Sequence, residues 1–302
     1  MEKWQIKQRQ SLPLEAKIVM AQHRIREWYE HWDGNVYVSF SGGKDSTVLL
    51  HLVRSIYPDV PAVFVNTGLE YPEIRQFVKT VDNVVWLRPR FTFKEVISRW
   101  GYPVISKNVA HQLSQLQNPT SNNEATRKLR LHGIKRDGTK ANPKSILPKK
   151  WHFLVDAPFK ISAHCCKIMK KQPLNDYAKR EGRKPYIGMM ISEGGQRQRQ
   201  LLKTGCNSFD TKHPSSNPLA YWLEADIWEY LKKYDVPYAS IYDMGVNRTG
   251  CMFCCFGVHL EQHPNRFEQM KRTHPKLWEY CMFELGLARV LDYIGVEWGA
   301  QI

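Results

Sequence analysis

The stretch SFSGGKDS, residues 39–46, gathers the residue types that together hold a polyphosphate. Two consecutive glycines, Gly42 and Gly43, let backbone N–H groups converge where side chains would block them. A helix starting just after them points its positive end at the same spot. Lys44 adds a mobile cation, Ser41 and Ser46 offer hydroxyls, and Asp45 falls in the first helical turn, where it can cap exposed N–H groups. Clustered phosphate charge at such a loop calls for a hard cation, Mg²⁺. The spacing is not that of a Walker A loop, which needs four residues between its first glycine and the Gly-Lys pair.

Cysteines make the second constellation. Cys165 and Cys166 are adjacent in ISAHCCKIMKK, and Cys251, Cys254 and Cys255 stand in RTGCMFCCFG. A Cys-x-x-Cys pair brings two thiolates onto one metal around a tight turn, which Gly250 loosens. Two adjacent cysteines fit a single zinc poorly but reach two different irons of a cubane cluster. Lys167, Lys170, Lys171 and Arg248 would offset the negative charge of four thiolates. Structural zinc and plain buried thiols stay open as alternatives at this point. Cys206 and Cys281 have no partners in the sequence, and Cys281, in the apolar LWEYCMFEL, reads as a core thiol.

These groups need a scaffold, and the hydrophobic pattern supplies one. Apolar residues at Ile18, Val19, Ile25, Trp28 and Tyr29 predict a helix over 14–32, ended by Asp33-Gly34. Residues 35–40, 61–67, 83–88 and 184–189 read as strands, with STVLLHLVRSIY and YPEIRQFVKT as helices between them. That alternation predicts a doubly wound, mostly parallel α/β sheet. A helix over 225–236 ends at Pro237, and one or two helices close the chain. The expected organisation is a single domain over 1–302. It comprises a helical segment (1–34), a nucleotide-binding core (35–116), a basic insertion (117–150), the rest of the core with the cysteines (151–260) and C-terminal helices (261–302).

Composition narrows the setting. With 42% hydrophobic and 24% charged residues the chain reads as a folded protein. No run of eighteen apolar residues occurs, which excludes a membrane-spanning helix and predicts no membrane partner. The first residues lack the apolar stretch of a secretory signal, so the cytoplasm is expected. There, seven cysteines serve as ligands or reactive thiols rather than disulfides. The net charge of +15 favours polyanionic partners. Nine Lys and Arg against two acids fall in 117–150, which reads as a solvated insertion or as an arm that meets phosphates.

SGGKDS resembles the signature of the PP-loop ATP pyrophosphatases, which cleave ATP between the α and β phosphates. NTGLEYPE (66–73) resembles the Asp-Thr-Gly turn of the phosphoadenosine phosphosulfate (PAPS) reductase branch of that superfamily, with Asn66 in place of Asp. IGMMISEGGQRQRQ (187–200) resembles that branch's Gly-x-Arg-x-x-Glu-Ser-x-x-Arg segment. Gly188, Glu193 and Arg197 match, Met190 replaces the Arg, Gly194 replaces the Ser, and Arg199 is close by. Residues 217–251 resemble the run from Pro-Leu-x-x-Trp to the Leu-Tyr-x-x-Gly-Tyr turn. The cysteine layout is similar to that of the cluster-binding adenylylsulfate reductases. Together the resemblance spans roughly 20–260.

The resemblance implies that Lys44, Asp45 and Ser46 are catalytic. It implies a nucleotide-contacting set of Ser39, Ser41, Gly42, Gly43, Lys44, Asp45, Ser46, Asn66, Thr67, Gly68, Gly188, Glu193 and Arg197. Cys165, Cys166, Cys251 and Cys254 become ligands of a [4Fe–4S] cluster, with zinc as the alternative. Sulfonucleotide reductases lack the Lys-Asp-Ser of the loop and carry a nucleophilic cysteine in a Glu-Cys-Gly-x-His tail. This chain keeps the first and does not show the second. The expectation is therefore an ATP-dependent adenylating enzyme of sulfur transfer, similar to the sulfur-transfer ATPases of DNA phosphorothioation. Its expected partners are ATP, a nucleic acid held by the basic insertion, a cysteine desulfurase or other sulfur donor, and a second copy of the chain. The alternatives are a PAPS or adenylylsulfate reductase and a non-catalytic nucleotide-binding subunit of a nucleic-acid-associated complex.

Overall fold

Short β-branched and aromatic runs bounded by turns build the centre of the molecule. The computed structural model describes residues 3–299, with the side chains of Lys3, Glu193, Gln196 and Gln200 outside that description. Among the described residues the strands are β1 (Val36–Ser39), β2 (Ala62–Val65), β3 (Val84–Leu87), β4 (Val104–Ile105), β5 (Lys184–Ile187), β6 (Asn207–Ser208), β7 (Ser215–Ser216) and β8 (Cys255–Phe256). The chain folds as two units. One holds the residues up to Asn66, with Glu70–Arg88 and Pro173–Thr249; the other holds Thr67–Leu69, Pro89–Gln172 and the residues from Gly250 onward.

In the first unit a six-stranded sheet runs in the order β3-β2-β1-β5-β7-β6. Every pairing is parallel except β6 with β7. Both faces of its centre are covered, as a doubly wound sheet requires. Tyr37 and Val63 pack with Tyr177 of the helix Gln172–Glu181. Tyr186, which pairs in register with Val38 on the opposite face, donates its hydroxyl to the Ile25 carbonyl of the helix Leu14–His31. That helix buries Ile18, Ile25 and Trp28 as the spacing predicts, each contributing about 1.5–3 kcal/mol. Val19 departs from the expectation and is 64% exposed, while Lys17 is buried. Lys17 is tolerated there because its ammonium meets Asp226 at 2.6 Å. Asp33 (φ 47°) and Gly34 (φ 73°) turn the chain out of the helix into β1.

The second unit pairs β4 with β8 in parallel. It contains the helices Phe93–Trp100, set by a Thr92–Glu95 capping box, and Lys107–Gln117, capped by Ser106. The basic segment is not featureless. It forms a helix, Glu124–His132, and a turn of chain tied back by side chains. Gln112 donates to the Lys144 carbonyl, and Arg130 donates to the Ser145 carbonyl and to Gln115. No helix among the described residues is long and apolar enough to cross a membrane.

Candidate functional site

Strand order reverses at β1, whose neighbours are β2 on one side and β5 on the other. In open α/β sheets ligands bind outside the carboxyl ends of the strands at such a reversal. The loop after β1 lies there, leading into the helix Lys44–Arg54. Gly42 has φ 72°, and a Cβ on it would stand 2.7 Å from Val78 Cγ2 and 2.8 Å from Ile74 Cγ2, so no other residue fits. Gly188, just past β5, would put a Cβ 3.2 Å from the Asp45 carbonyl. The glycine at the end of β5 thus lets that strand approach the start of the helix.

The loop's donors already have partners. The Lys44 backbone N–H donates to Tyr242 Oη at 2.8 Å, and Tyr242 Oη lies 2.9 Å from Thr249 Oγ1. Ser41 N–H donates to Ser46 Oγ at 3.1 Å, Ser46 Oγ donates to the Gly43 carbonyl at 2.8 Å, and Gly43 N–H reaches Ser41 Oγ at 3.3 Å. The Lys44 ammonium donates to the Asn247 carbonyl at 3.0 Å and meets Glu224 at 3.1 Å, with the rings of Tyr242 and Trp228 5.2 and 5.8 Å away. The Glu224 side chain is 62% exposed, so solvent screens that ion pair to about 1 kcal/mol at most. A hydroxyl and a screened carboxylate thus partner the loop's Lys44 donors.

Asp45 does not cap the helix, contrary to the sequence expectation. The N-cap is Gly43 with no side-chain bond, and the first N–H, that of Lys44, is taken by Tyr242. Asp45 Oδ1 is instead buried with no hydrogen-bond partner among the described residues. Burial raises its pKa above the ordinary aspartate value, with Glu224 adding to the rise and Lys44, Arg197 and Arg248 opposing it. An orphaned carboxylate oxygen beside a phosphate-type loop fits a hard divalent cation. Arg197, on the helix Gly195–Thr204, is half-buried, and burial lowers its pKa, as does the charge of Arg248. Arg248, assigned to the cysteines from sequence, bears electrostatically on Asp45 and Arg197.

The remaining predicted residues are placed as follows. Ser39 ends β1, in register with Val63 and Ile187. Asn66 continues β2 by donating its N–H to the Leu87 carbonyl, Thr67 Oγ1 accepts from Leu69 N–H, and Gly68 turns at φ 76°. Glu193 closes a short 3₁₀ turn, and its side chain lies outside the described residues. Sequence reasoning did not pick out Tyr242, Asn247, Thr249 or Glu224. For Tyr242, Asn247 and Thr249 the one signal was position, since IYDMGVNRT lies just before the Cys-x-x-Cys stretch; Glu224 had none.

In the second unit Cys165 and Cys166 lie on the short helix His164–Cys166, which passes into a π-turn, Lys167–Lys171. Cys251 and Cys254 close a turn through the Cys254 N–H to the Cys251 carbonyl, and Arg266 donates to the Cys254 carbonyl at 2.9 Å. The four thiols influence one another electrostatically. Burial pushes the Cys165 thiol well up, and Cys251, Cys166 and Cys254 each add to the rise. Cys254 is pushed up to about 11, by burial first, with Cys251 and Cys166 contributing. Crowded, desolvated thiols release protons readily only to a metal, so this donor set suits a thiolate-bound centre. Cys255, fully buried on β8, adds to the rise of the buried Cys281 thiol.

The family model of the phosphoadenosine phosphosulfate reductase domain matches residues 35–99 and 84–256. The chain belongs to this family. Two uncharacterized proteins of Methanocaldococcus jannaschii are each 25% identical to it over 267 residues, 84% of this chain but 42% and 49% of theirs. The chain thus spans less than half the length of those relatives. An adenosine 5'-phosphosulfate reductase of Staphylococcus haemolyticus is 23% identical over 244 residues, 77% of this chain and 75% of that one. Among solved structures, the phosphoadenylyl-sulfate reductase of Candida auris aligns with a TM-score of 0.45 at 15% identity, covering 83% of this chain and 96% of that one. The U34-tRNA thiolase NcsA of Methanococcus maripaludis aligns with a TM-score of 0.40 at 16% identity, covering 95% and 83%.

Proposed function

We propose that this member of the PAPS reductase family adenylates an acceptor with ATP so that sulfur can replace the activated oxygen, in the manner of the DNA phosphorothioation ATPases. The observation that carries this reading is the complete Ser-Gly-Gly-Lys-Asp-Ser loop at the reversal point of the sheet, with Lys44 buried in it and Arg197 and Arg248 acting electrostatically on Asp45. Positive charge of that kind suits the charge that develops on a departing pyrophosphate.

In this reading an acceptor oxygen, of a phosphate or a carbonyl, attacks the α-phosphorus. The new O–P bond forms as the bond to the β-bridging oxygen breaks, and its electron pair leaves with pyrophosphate. Lys44 exchanges Glu224 and Asn247 for the departing phosphates and stabilises the charge that develops there, as do the loop N–H groups. Bound Mg²⁺, held by Asp45, would neutralise further phosphate charge. Cys165, Cys166, Cys251 and Cys254 would hold a [4Fe–4S] cluster, whose chemistry is electrostatic tuning when all four irons are protein-ligated. The basic segment of 117–150 would grip a nucleic-acid acceptor through its phosphates. Sulfur would come from a separate donor such as a cysteine desulfurase.

A second reading, sulfonucleotide reduction, is favoured by the adenosine 5'-phosphosulfate reductases among the relatives. It needs an accessible nucleophilic thiol. Cys281 is fully buried and burial pushes its thiol far up, while burial also raises that of Cys206. Anaerobically purified protein given ATP and candidate acceptors should release pyrophosphate. Sulfite release from adenosine phosphosulfate with thioredoxin, without pyrophosphate from ATP, selects the reductive reading, and nucleotide binding without turnover rejects both.

A further inference from the structure

The 3₁₀ run Lys149–Asp156 sets two cations and two rings on one short element. With three residues per turn, Lys150 and Phe153 share a face. Phe153 is 45% exposed, and its ring lies 5.7 Å from that of Tyr293, itself 37% exposed. Tyr293 Oη donates to the Phe153 carbonyl, and buried Phe159 meets the Tyr293 ring edge-on at 5.4 Å. Trp151 lies 6.2 Å from Phe153, with the Lys150 ammonium 5.1 Å from its ring and His259 edge-on at 5.2 Å. The rings are thus fixed from below while two of them face water.

Scattered exposed rings are ordinary on a protein surface, but neighbouring rings held at the water line beside cations are not. No acid occurs from residue 138 to 155, a stretch that carries Lys140, Lys144, Lys149 and Lys150. Positive charge beside open aromatic faces complements a strand that alternates anionic linkages with flat bases. A duplex keeps its bases stacked on one another, so its base faces are not on offer.

We propose that Phe153, Tyr293 and Trp151 form a stacking platform for a single-stranded segment of nucleic acid, with Lys149 and Lys150 on its phosphates. This rests on the nucleic-acid acceptor reading and specifies the form of acceptor. The test is fluorescence anisotropy of the full chain with a labelled single-stranded 12-mer and its duplex, across a salt series. The single strand should bind more tightly than the duplex. Phe153→Ala should weaken single-strand binding about 5- to 160-fold, and Phe153→Leu, which keeps apolar bulk without a π face, should weaken it similarly. Changing Lys149 and Lys150 together to Gln should reduce the salt slope by about 0.7 for each lysine. Equal affinity for duplex and single strand, wild-type binding by Phe153→Ala, or no oligonucleotide binding at all would each overturn the platform. The acceptor reading has its own readout, acceleration of pyrophosphate release by nucleic acid. Acceleration that survives in Phe153→Ala with unchanged binding removes the platform and leaves the acceptor reading standing. Platform binding without acceleration does the reverse.

Discussion

If the loop holds a nucleotide as proposed, Tyr242 occupies the place of a phosphate oxygen, and removing its hydroxyl tests that geometry. Tyr242 Oη accepts the first N–H of the helix, that of Lys44, at 2.8 Å and lies 2.9 Å from Thr249 Oγ1. Burial raises the tyrosine's pKa, so the group remains a neutral hydroxyl. A nucleotide that takes the Lys44 N–H must break this bond in the wild-type protein and has nothing to break in Tyr242→Phe. One such bond contributes about 0.5–1.5 kcal/mol net, so the variant should bind ATP about 2- to 12-fold more tightly. The free variant should also melt at a lower temperature, because the Lys44 N–H is left unpaired until ligand arrives. Isothermal titration with Mg²⁺ and a non-cleavable α,β-methylene ATP analogue measures the affinity, and a thermal melt without nucleotide measures the cost. Weaker binding by Tyr242→Phe would show that the hydroxyl holds the ligand rather than its place, and the reasoning would fail.

Lys44→Ala should abolish pyrophosphate release while leaving the visible absorption of an anaerobic preparation unchanged, and retained turnover would remove Lys44 from the chemistry. Asp45→Asn should stabilise the nucleotide-free protein at neutral pH. The wild-type carboxyl has its pKa raised by burial, so the stability it contributes is full below the ordinary aspartate value and is lost as pH rises through the raised one. Melts of both proteins at pH 5 and pH 8 should therefore diverge at the higher pH, and equal curves contradict an unpaired buried carboxylate. Cys251→Ala should bleach the protein and lower its iron content, whereas Cys281→Ala should leave both intact and cost stability only, read by the same absorption and iron assays.

The fold was legible where steric or hydrophobic rules act locally. Gly42 follows from a positive φ and two branched neighbours that leave no room for a Cβ, and the strands around it follow from runs such as VYVS and AVFV. The helix Leu14–His31 was legible in its apolar stripe but not in Lys17, because its partner Asp226 lies 209 residues away. The helix Glu124–His132 was missed because it buries no apolar residue and is held by polar ties such as Arg130 to the Ser145 carbonyl. The cysteine spacing was readable, yet Cys255 was not separable from Cys254 in the string CC. Strand pairing separates them, since Cys255 is in register with Val104 on β8 and buried, while Cys254 ends the preceding turn.

The part of the site least visible in sequence explains how the loop can be both closed and ready. None of its internal bonds joins two fully desolvated charges. Lys44 Nζ is held by a carbonyl and by an exposed carboxylate, and its N–H by a neutral phenol. A phosphate offers the same donors charge-assisted bonds roughly twice as strong as neutral ones. In the proposed reading the exchange at the Lys44 N–H is favourable by itself, because it replaces a neutral phenol, and it leaves the helix and β1 in place, because Gly42 has no room to shift toward Ile74 and Val78. In that reading the segment that yields is Tyr242–Thr249, where Asp243, Met244, Gly245, Asn247 and Arg248 are exposed and only Val246 is buried. A loop whose glycine-locked half carries the donors, and whose exposed half supplies a neutral acceptor, keeps its buried N–H groups satisfied, and in the proposed reading it exchanges that acceptor for a phosphate oxygen.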